Sequence, residues 1–353
     1  MDFAFDESQL AVRDLAKQCF ARVPVDPERV AEAMRELGRA QLMGVALPAA
    51  AGGSDAGLVA LCLLLEQAGQ AANAAPLIPS LVLAGLPLAQ CEAEFGRLSA
   101  VCAGQAVLCA SYGVGAEPAL HARRDGADYV LSGSESCVEA LPLAGAAVIA
   151  ARTDGGARAL FCLDLQSRGA CIEPQSVASG CALGQLVLSD VRLPAASLLC
   201  DPGRANALIE WTLDRAYLAQ SAYELGLCQA ALTLTASYAS ERKQFGRPIG
   251  TFQAVAQRVA DAHIAVETMR LTVWRAAWLA ERGEDARQAI AVARTLAARA
   301  GHEVVCAAQH IHGGMGFDRD YPLHRYFLLS KQNELRLGGH AFHLARLGRL
   351  IAA

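Results

Sequence analysis

The chain has 353 residues, 54% of them hydrophobic and 19% charged, with a formal net charge of -4. At about 150 residues per domain the length predicts two or three domains, with apolar residues enough for a large core and for subunit contacts. The mild acidity excludes a nucleic-acid or anionic-membrane partner recognised through charge. The opening "MDFAFDESQL" lacks the basic start and apolar run of a signal peptide, and no apolar stretch reaches the ~20 residues of a membrane span. A cytoplasmic protein is expected. Its twelve cysteines fall singly, with no C-x-x-C pair. They read as reduced thiols, mostly in the core, rather than as zinc ligands or a disulfide framework.

Residues 1–105 are expected to form an N-terminal helical domain. "FDESQLAVRDLAKQCF" opens with Asp6 and places Gln9 three positions on, the spacing of a capping box. Leu10, Leu15 and Phe20 then recur at roughly helical intervals. A second helix is expected over 27–42. "LPAAAGGSDAG" (47–57) reads as a loop, and "LVALCLLLEQAGQ" as a further helix.

Residues 106–202 change character and predict a middle antiparallel β domain. "ADYVLSG" reads as a strand ending at a turn. "AAVIAARTDGGARALFCLDL" reads as two strands joined by Thr153-Asp154-Gly155-Gly156. "LGQLVLSDVRLP" alternates and stops at Pro194.

Residues 203–353 return to helix and predict a C-terminal four-helix bundle. One helix runs to "SERKQF", a second runs from "TFQAV" to a C-cap at Gly283, and a third ends at Gly313-Gly314. One or two more follow. Trp274 and Trp278, four apart, read as bundle core or interface. No metal is expected, because no His, Cys or carboxylate cluster has ligand spacing.

Two segments depart from this helical background, "ERKQFGRPIGTFQ" (241–253) and "QHIHGGMGFDRDYP" (309–322). Each sets polar side chains beside glycines, where backbone can approach a ligand closely. Arg242 can fork two hydrogen bonds onto a phosphate, and amides in a Gly turn can bind an anion. Either segment alone is also consistent with an ordinary turn between helices.

Together, in an α–β–α chain, they resemble the FAD-dependent acyl-CoA dehydrogenases. "MDFAFDESQLAVRDLA", "GVALPAAAGGSDAGL", "RDGADYVLSG", "AARTDGG" and "LSDVRLPAASLL" are similar to other parts of that family. The resemblance implies FAD held at subunit interfaces of a homo-oligomer, or of a heteromer of two related chains. It implies that Arg242, Gln244 and Phe245 grip the pyrophosphate and adenosine side of FAD, with Gln253 near the same cofactor. The turn at His310, His312, Gly313 and Gly314 would wrap the FAD of a neighbouring subunit. The family removes the α-proton of an acyl-CoA thioester with a carboxylate, transfers the β-hydrogen to flavin as hydride, and passes electrons to an electron-transfer flavoprotein.

The chain departs from the family where the base belongs. Alignment on Tyr321-Pro322 and Lys331 puts Leu337 at the usual position. The alternative position on the first long helix is Ala216. Neither side chain accepts a proton. The family's Gln before the glycine turn is replaced by His310, with Gln309 one residue earlier, and the loop before the β domain reads "SYGVGAEPA". Three explanations stand. This chain is the base-lacking partner in a heteromer. The base has moved, with Glu334 the first candidate and Asp320 and Glu224 behind it. Or the scaffold serves another reaction or a structural role.

Overall fold

A computed structural model describes residues 4–23, 26–114 and 119–352. The chain forms two compact units, one of Met1–Val25, Leu58–Asn73 and Tyr217–Ala353, the other of Asp26–Gly57 and Ala74–Ala216.

In chain order, α1 spans Glu7–Phe20, α2 Val30–Arg39 and α3 Gly57–Gln70; α4 is Leu86–Gln90 and α5 Phe95–Cys102. A widened helical stretch, Ile78–Gly85, runs straight into α4. The start of α1 follows from its sequence. The Asp6 carboxylate accepts the Gln9 amide N–H at 2.8 Å, and the Gln9 side chain accepts the Asp6 N–H at 3.1 Å. Two orphan donors at the helix end are thus satisfied reciprocally. The helix expected over 27–42 is shorter than its pattern. It begins with a 3-10 turn at Pro27–Arg29, and α2 ends at Arg39, two residues before Gln41 adopts a positive φ.

Eight strands follow: β1 Leu108–Ser111, β2 Leu120–Asp125, β3 Asp128–Glu139, β4 Ala146–Thr153, β5 Arg158–Asp164, β6 Ala170–Gln175, β7 Leu183–Leu193 and β8 Leu198–Cys200. They form one sheet in the order β6-β7-β3-β2-β4-β5-β8, with β1 also on β4. The expected antiparallel domain is a mixed sheet, because β1 and β2 both pair parallel with β4. The β4–β5 hairpin closes as its sequence predicts. Thr153 exchanges backbone bonds across the turn, and Gly156 supplies the positive φ of 81°. "ADYVLSG" does not end at a turn. β3 continues six residues past Gly133, whose φ of 126° marks a register shift against β7 rather than a chain reversal. A bulge with glycine keeps the strand in the sheet, and sequence alone reads that glycine as a stop. Leu131, Ile149, Phe161 and Leu186, all fully buried, centre the core on one face.

The helical unit is built from α6 Pro202–Glu241 (from Tyr217 on), α7 Gln253–Glu281, α8 Arg287–His312, α9 Leu323–Leu335 and α10 His340–Ala352, with α1 and α3. Between α6 and α7 lie two short strands, β9 Lys243–Gln244 and β10 Arg247–Pro248. α3 and α6 cross backbone to backbone. A Cβ on Gly69 would overlap the Tyr223 carbonyl oxygen, and one on Gly226 the Glu66 carbonyl oxygen. Gly283, with φ 70°, follows the C-cap Arg282 of α7, and the next amide, Glu284 N–H, returns to Leu279 O at 3.1 Å. That is the Schellman closure the glycine predicts. Trp274 is buried in this unit, while Trp278 is part-exposed beneath the Arg282 guanidinium. Six of the twelve cysteines are buried, four are part-buried, and Cys137 and Cys171 are exposed on the sheet, so the expectation of mostly core thiols is met by half of them. Among the described residues no helix is long and apolar enough to cross a membrane.

Candidate functional site

The segment 242–253 folds as a β-hairpin tip followed by a helix start. Arg247 pairs with Gln244 and Pro248 with Lys243, leaving Phe245 and Gly246 as a two-residue turn. Both turn residues have positive φ, 52° and 78°, the signature of a type I′ turn. Glycine takes that conformation freely, whereas phenylalanine pays about 1–2 kcal/mol for it. The Phe245 ring is nevertheless 94% exposed. A strained aromatic held out into solvent makes sense as a contact for something outside the chain.

Arg242 is fixed at its backbone and free at its head. Its N–H donates to Tyr238 O and its carbonyl accepts from Ile249 N–H, each at 2.8 Å. Its guanidinium makes no ion pair among the described residues. Arg247 lies 4.3 Å above the Phe252 ring, and that ring meets Phe245 edge to face at 6.2 Å. The Gln244 amide donates to the Lys243 carbonyl at 2.7 Å. Gln253 is the exposed first residue of α7, whose N-cap Phe252 offers no side-chain cap. Uncapped amides at a helix N-terminus, with two arginines nearby in sequence, favour an anion. Arg247 is the functional candidate that sequence reasoning passed over. Its signal was present, a second Arg flanking the same glycine turn.

The second segment ends α8. Gly313 has φ 58° and ψ -132°, a conformation open essentially to glycine alone. A Cβ on Gly313 or Gly314 would meet nothing within 4 Å, so this turn presents bare backbone outward. His310 is exposed on α8. His312 is only 3% exposed and its ring is committed. Nδ1 donates to Ala308 O at 2.8 Å, Nε2 accepts from Tyr321 Oη at 3.0 Å, and the ring stacks on Tyr238 at 4.3 Å. Burial holds its pKa below the usual imidazole value, against the Ala308 hydrogen bond. His312 therefore anchors the turn as a neutral ring. Gln309 tucks under the turn, where a Cβ on Gly316 would fall 2.8 Å from its amide nitrogen. Its Oε1 is buried with no hydrogen-bond partner among the described residues. The unpaired Arg242 head, Arg247, the uncapped amides of α7 and the bare backbone of the glycine turn are all donors and suit the diphosphate of a dinucleotide, whereas the orphaned Gln309 oxygen is an acceptor and suits a donor group.

No carboxylate stands at either base position. Leu337 lies between α9 and α10 at φ 54°, and Ala216 is fully buried on α6. Glu334 is engaged in an ion pair with Lys331, and its Oε2 lies 3.5 Å from His302 Nδ1. Asp320 is exposed beyond the glycine turn, its N–H donating to Asp318 at 3.0 Å. Glu224 is 1% exposed in the bundle. Ser330 Oγ, Asn333 Nδ2 (2.6 Å) and Cys228 Sγ (3.6 Å) all point at its carboxyl. Desolvation raises its pKa to about 7 against those hydrogen bonds and the nearby Arg294. Residues 115–118 of the "SYGVGAEPA" loop lie outside the described residues. Among the described residues no His, Cys, Asp and Glu group could hold a metal ion.

Comparison with known proteins bears on this geometry. The description "Acyl-CoA dehydrogenase, N-terminal domain" matches residues 6–92, and "Acyl-CoA dehydrogenase, C-terminal domain" matches residues 206–351. Acyl-CoA dehydrogenase FadE27 of Mycobacterium tuberculosis is 35% identical over 333 residues, 91% of this chain and 88% of that protein. A variant of the Tcur3481–Tcur3483 steroid ACAD superposes with TM-score 0.88 at 38% identity, over 98% of each chain. The ChsE4–ChsE5 complex from Mycobacterium tuberculosis contains a chain with TM-score 0.91 at 32% identity, covering 100% of this chain and 99% of that one.

Proposed function

Because the chain belongs to the acyl-CoA dehydrogenase family, we propose that it is one subunit of a hetero-oligomeric, FAD-dependent acyl-CoA dehydrogenase. A related chain carries the catalytic carboxylate. The observation that carries this reading is a split within one chain. The segments assigned to the cofactor keep Arg242, Gln244, Phe245 and the Gly313–Gly314 turn, while both base positions hold side chains that cannot accept a proton, Leu337 and Ala216. Two of the similar solved structures carry paired names, the ChsE4–ChsE5 complex and the Tcur3481–Tcur3483 steroid ACAD, which supports a mixed assembly here.

In this reading Arg242 and Arg247 neutralise the cofactor's diphosphate, and Gln253 adds the amide end of α7. Gln244 and Phe245 cover the adenosine side. His312 holds the Gly313–Gly314 turn so that its backbone meets the cofactor of the neighbouring subunit, with His310 beside it. FAD, when bound, accepts the β-hydrogen of the acyl-CoA as hydride. The partner's carboxylate takes the α-proton, the product is a 2-enoyl-CoA, and electrons leave to an electron-transfer flavoprotein. The assembly acts in the cytoplasm.

Co-expression with a related, Glu-bearing chain tests the reading. A mixed oligomer that oxidises acyl-CoA only when both chains are present is the expected result. An active homo-oligomer of this chain alone would defeat it. In the mixed oligomer, Arg242→Ala is expected to weaken FAD binding roughly 10–100-fold, the loss of one or two charge-assisted hydrogen bonds. Flavin absorbance per protein after gel filtration reads this directly, and parent-level FAD in the variant would refute the assignment of Arg242.

A further inference from the structure

The helical unit holds a cavity that no step of the proposed dehydrogenation uses. It measures about 500 Å³ and lies among α1, α3 and α7. That volume is within the range of small-molecule sites. One wall is apolar, made by Phe5, Leu63, Leu271 and Trp274. The Phe5 and Trp274 rings meet edge to face at 4.8 Å.

Polar groups inside are placed unevenly. Gln67 is 6% exposed, lines the cavity, and has no side-chain hydrogen-bond partner among the described residues. Its amide atoms are not sealed off from the cavity and offer a donor and an acceptor to a group bound there. Glu66 next to it is 5% exposed, but its charge is answered by Arg270 at 3.3 Å. At the mouth, Arg13 is paired with Asp14 at 2.8 Å. Lys17 stands at the same mouth with no ion pair among the described residues. Arg270 is shared between Glu66 and Glu267, each at 3.3 Å, and Arg13 pairs with Asp14, so of the cations lining the cavity Lys17 is the one with no carboxylate partner among the described residues.

We propose that this cavity binds a small amphipathic monoanion, a carboxylate or sulfonate on an apolar, ring-bearing body. The body lies on Phe5, Leu63 and Trp274. The anionic head meets Lys17, and a polar atom along the body bonds Gln67. The site is separate from the residues assigned to FAD, so its failure and theirs can be told apart.

The probe is anilinonaphthalene sulfonate, added to the FAD-loaded oligomer. Saturable fluorescence is expected, with one site per copy of this chain, excitation transfer from tryptophan, and displacement by 4-phenylbutyrate, a non-fluorescent carboxylate with a ring. Lys17→Glu, an exposed change that leaves the fold alone, is expected to weaken the probe at least tenfold. Lys17→Arg should restore it, and Gln67→Leu should also weaken it. FAD content should stay at the parent level in all three. Equal probe affinity in the parent and Lys17→Glu would overturn the site. So would absence of probe binding in the assembled oligomer, which would mean that a subunit covers the cavity.

Discussion

Arg294→Met is expected to destabilise the helical unit by roughly 3–5 kcal/mol, the usual cost of removing one member of a buried charge arrangement. Arg294 is fully buried on α8. Its Nη2 donates to the carbonyls of Asn333 (2.6 Å), Glu334 (3.4 Å) and Arg336 (3.2 Å). These belong to the last turn of α9 and the linker after it, where the final carbonyls of a helix lack partners of their own. A guanidinium there also faces the negative end of the helix dipole. Burial lowers the Arg294 pKa to about 10, opposed first by Glu224, so the group stays cationic at neutral pH. Methionine fills similar space but leaves the three carbonyls without this donor and Glu224 without its cation. The thermal midpoint should fall by roughly 6–20 °C for a unit of this size, at about 2–4 °C per kcal/mol. Amide exchange at residues 335–339, including Leu337, should quicken more than in the β-sheet. A midpoint within about 1 °C of the parent would show that Arg294 does not carry α9.

Arg294 also shows where the sequence stops being informative. In "IAVARTLAARAG" it reads as a solvated helix residue, yet it is among the largest fully buried side chains of the protein. Its acceptors lie some forty positions away and are backbone carbonyls, which carry no residue signature. Glu224 is hidden by distance as well, since Ser330 and Asn333, which bond its carboxyl, lie 106 and 109 positions away. By contrast, features whose determinants are local are legible. The Asp6–Gln9 cap, the Thr153–Gly156 hairpin, Gly283 after α7 and the break at Gly313 all follow from residues within five positions of one another. Gly133 sits between these cases. Its freedom was visible, but only the pairing of β3 with β7 decides between a turn and a bulge. The candidate cofactor site was legible because both of its segments are short and glycine-marked. The commitment of His312 to Ala308, Tyr321 and Tyr238 was not, since Tyr238 lies on another helix.

The pH dependence of stability should change sharply in Glu224→Gln. In the folded protein the Glu224 carboxyl has its pKa raised to about 7, chiefly by desolvation, from a usual value of 4.5. A raised carboxyl pKa means that the folded state binds the proton more tightly than the unfolded chain does. Its contribution is therefore fully present below pH 4.5 and is lost as pH rises through 7. The loss amounts to about 3 kcal/mol, at 1.36 kcal/mol per unit. Glutamine imitates the neutral acid. Its oxygen can accept from Asn333 Nδ2, and its NH₂ can donate to Ser330 Oγ, because a hydroxyl can reverse its role. Gly301 packs directly against this side chain and leaves no room for a larger one, which an isosteric amide does not need. Urea or thermal unfolding of the parent should thus weaken between about pH 5 and 8 relative to the variant, and the two curves should converge at low pH. Parallel curves across that window would mean that Glu224 is ionised at no cost in the folded bundle. It would then be a solvated carboxylate, and so a credible base, rather than a buried acid that ties α6 to α9.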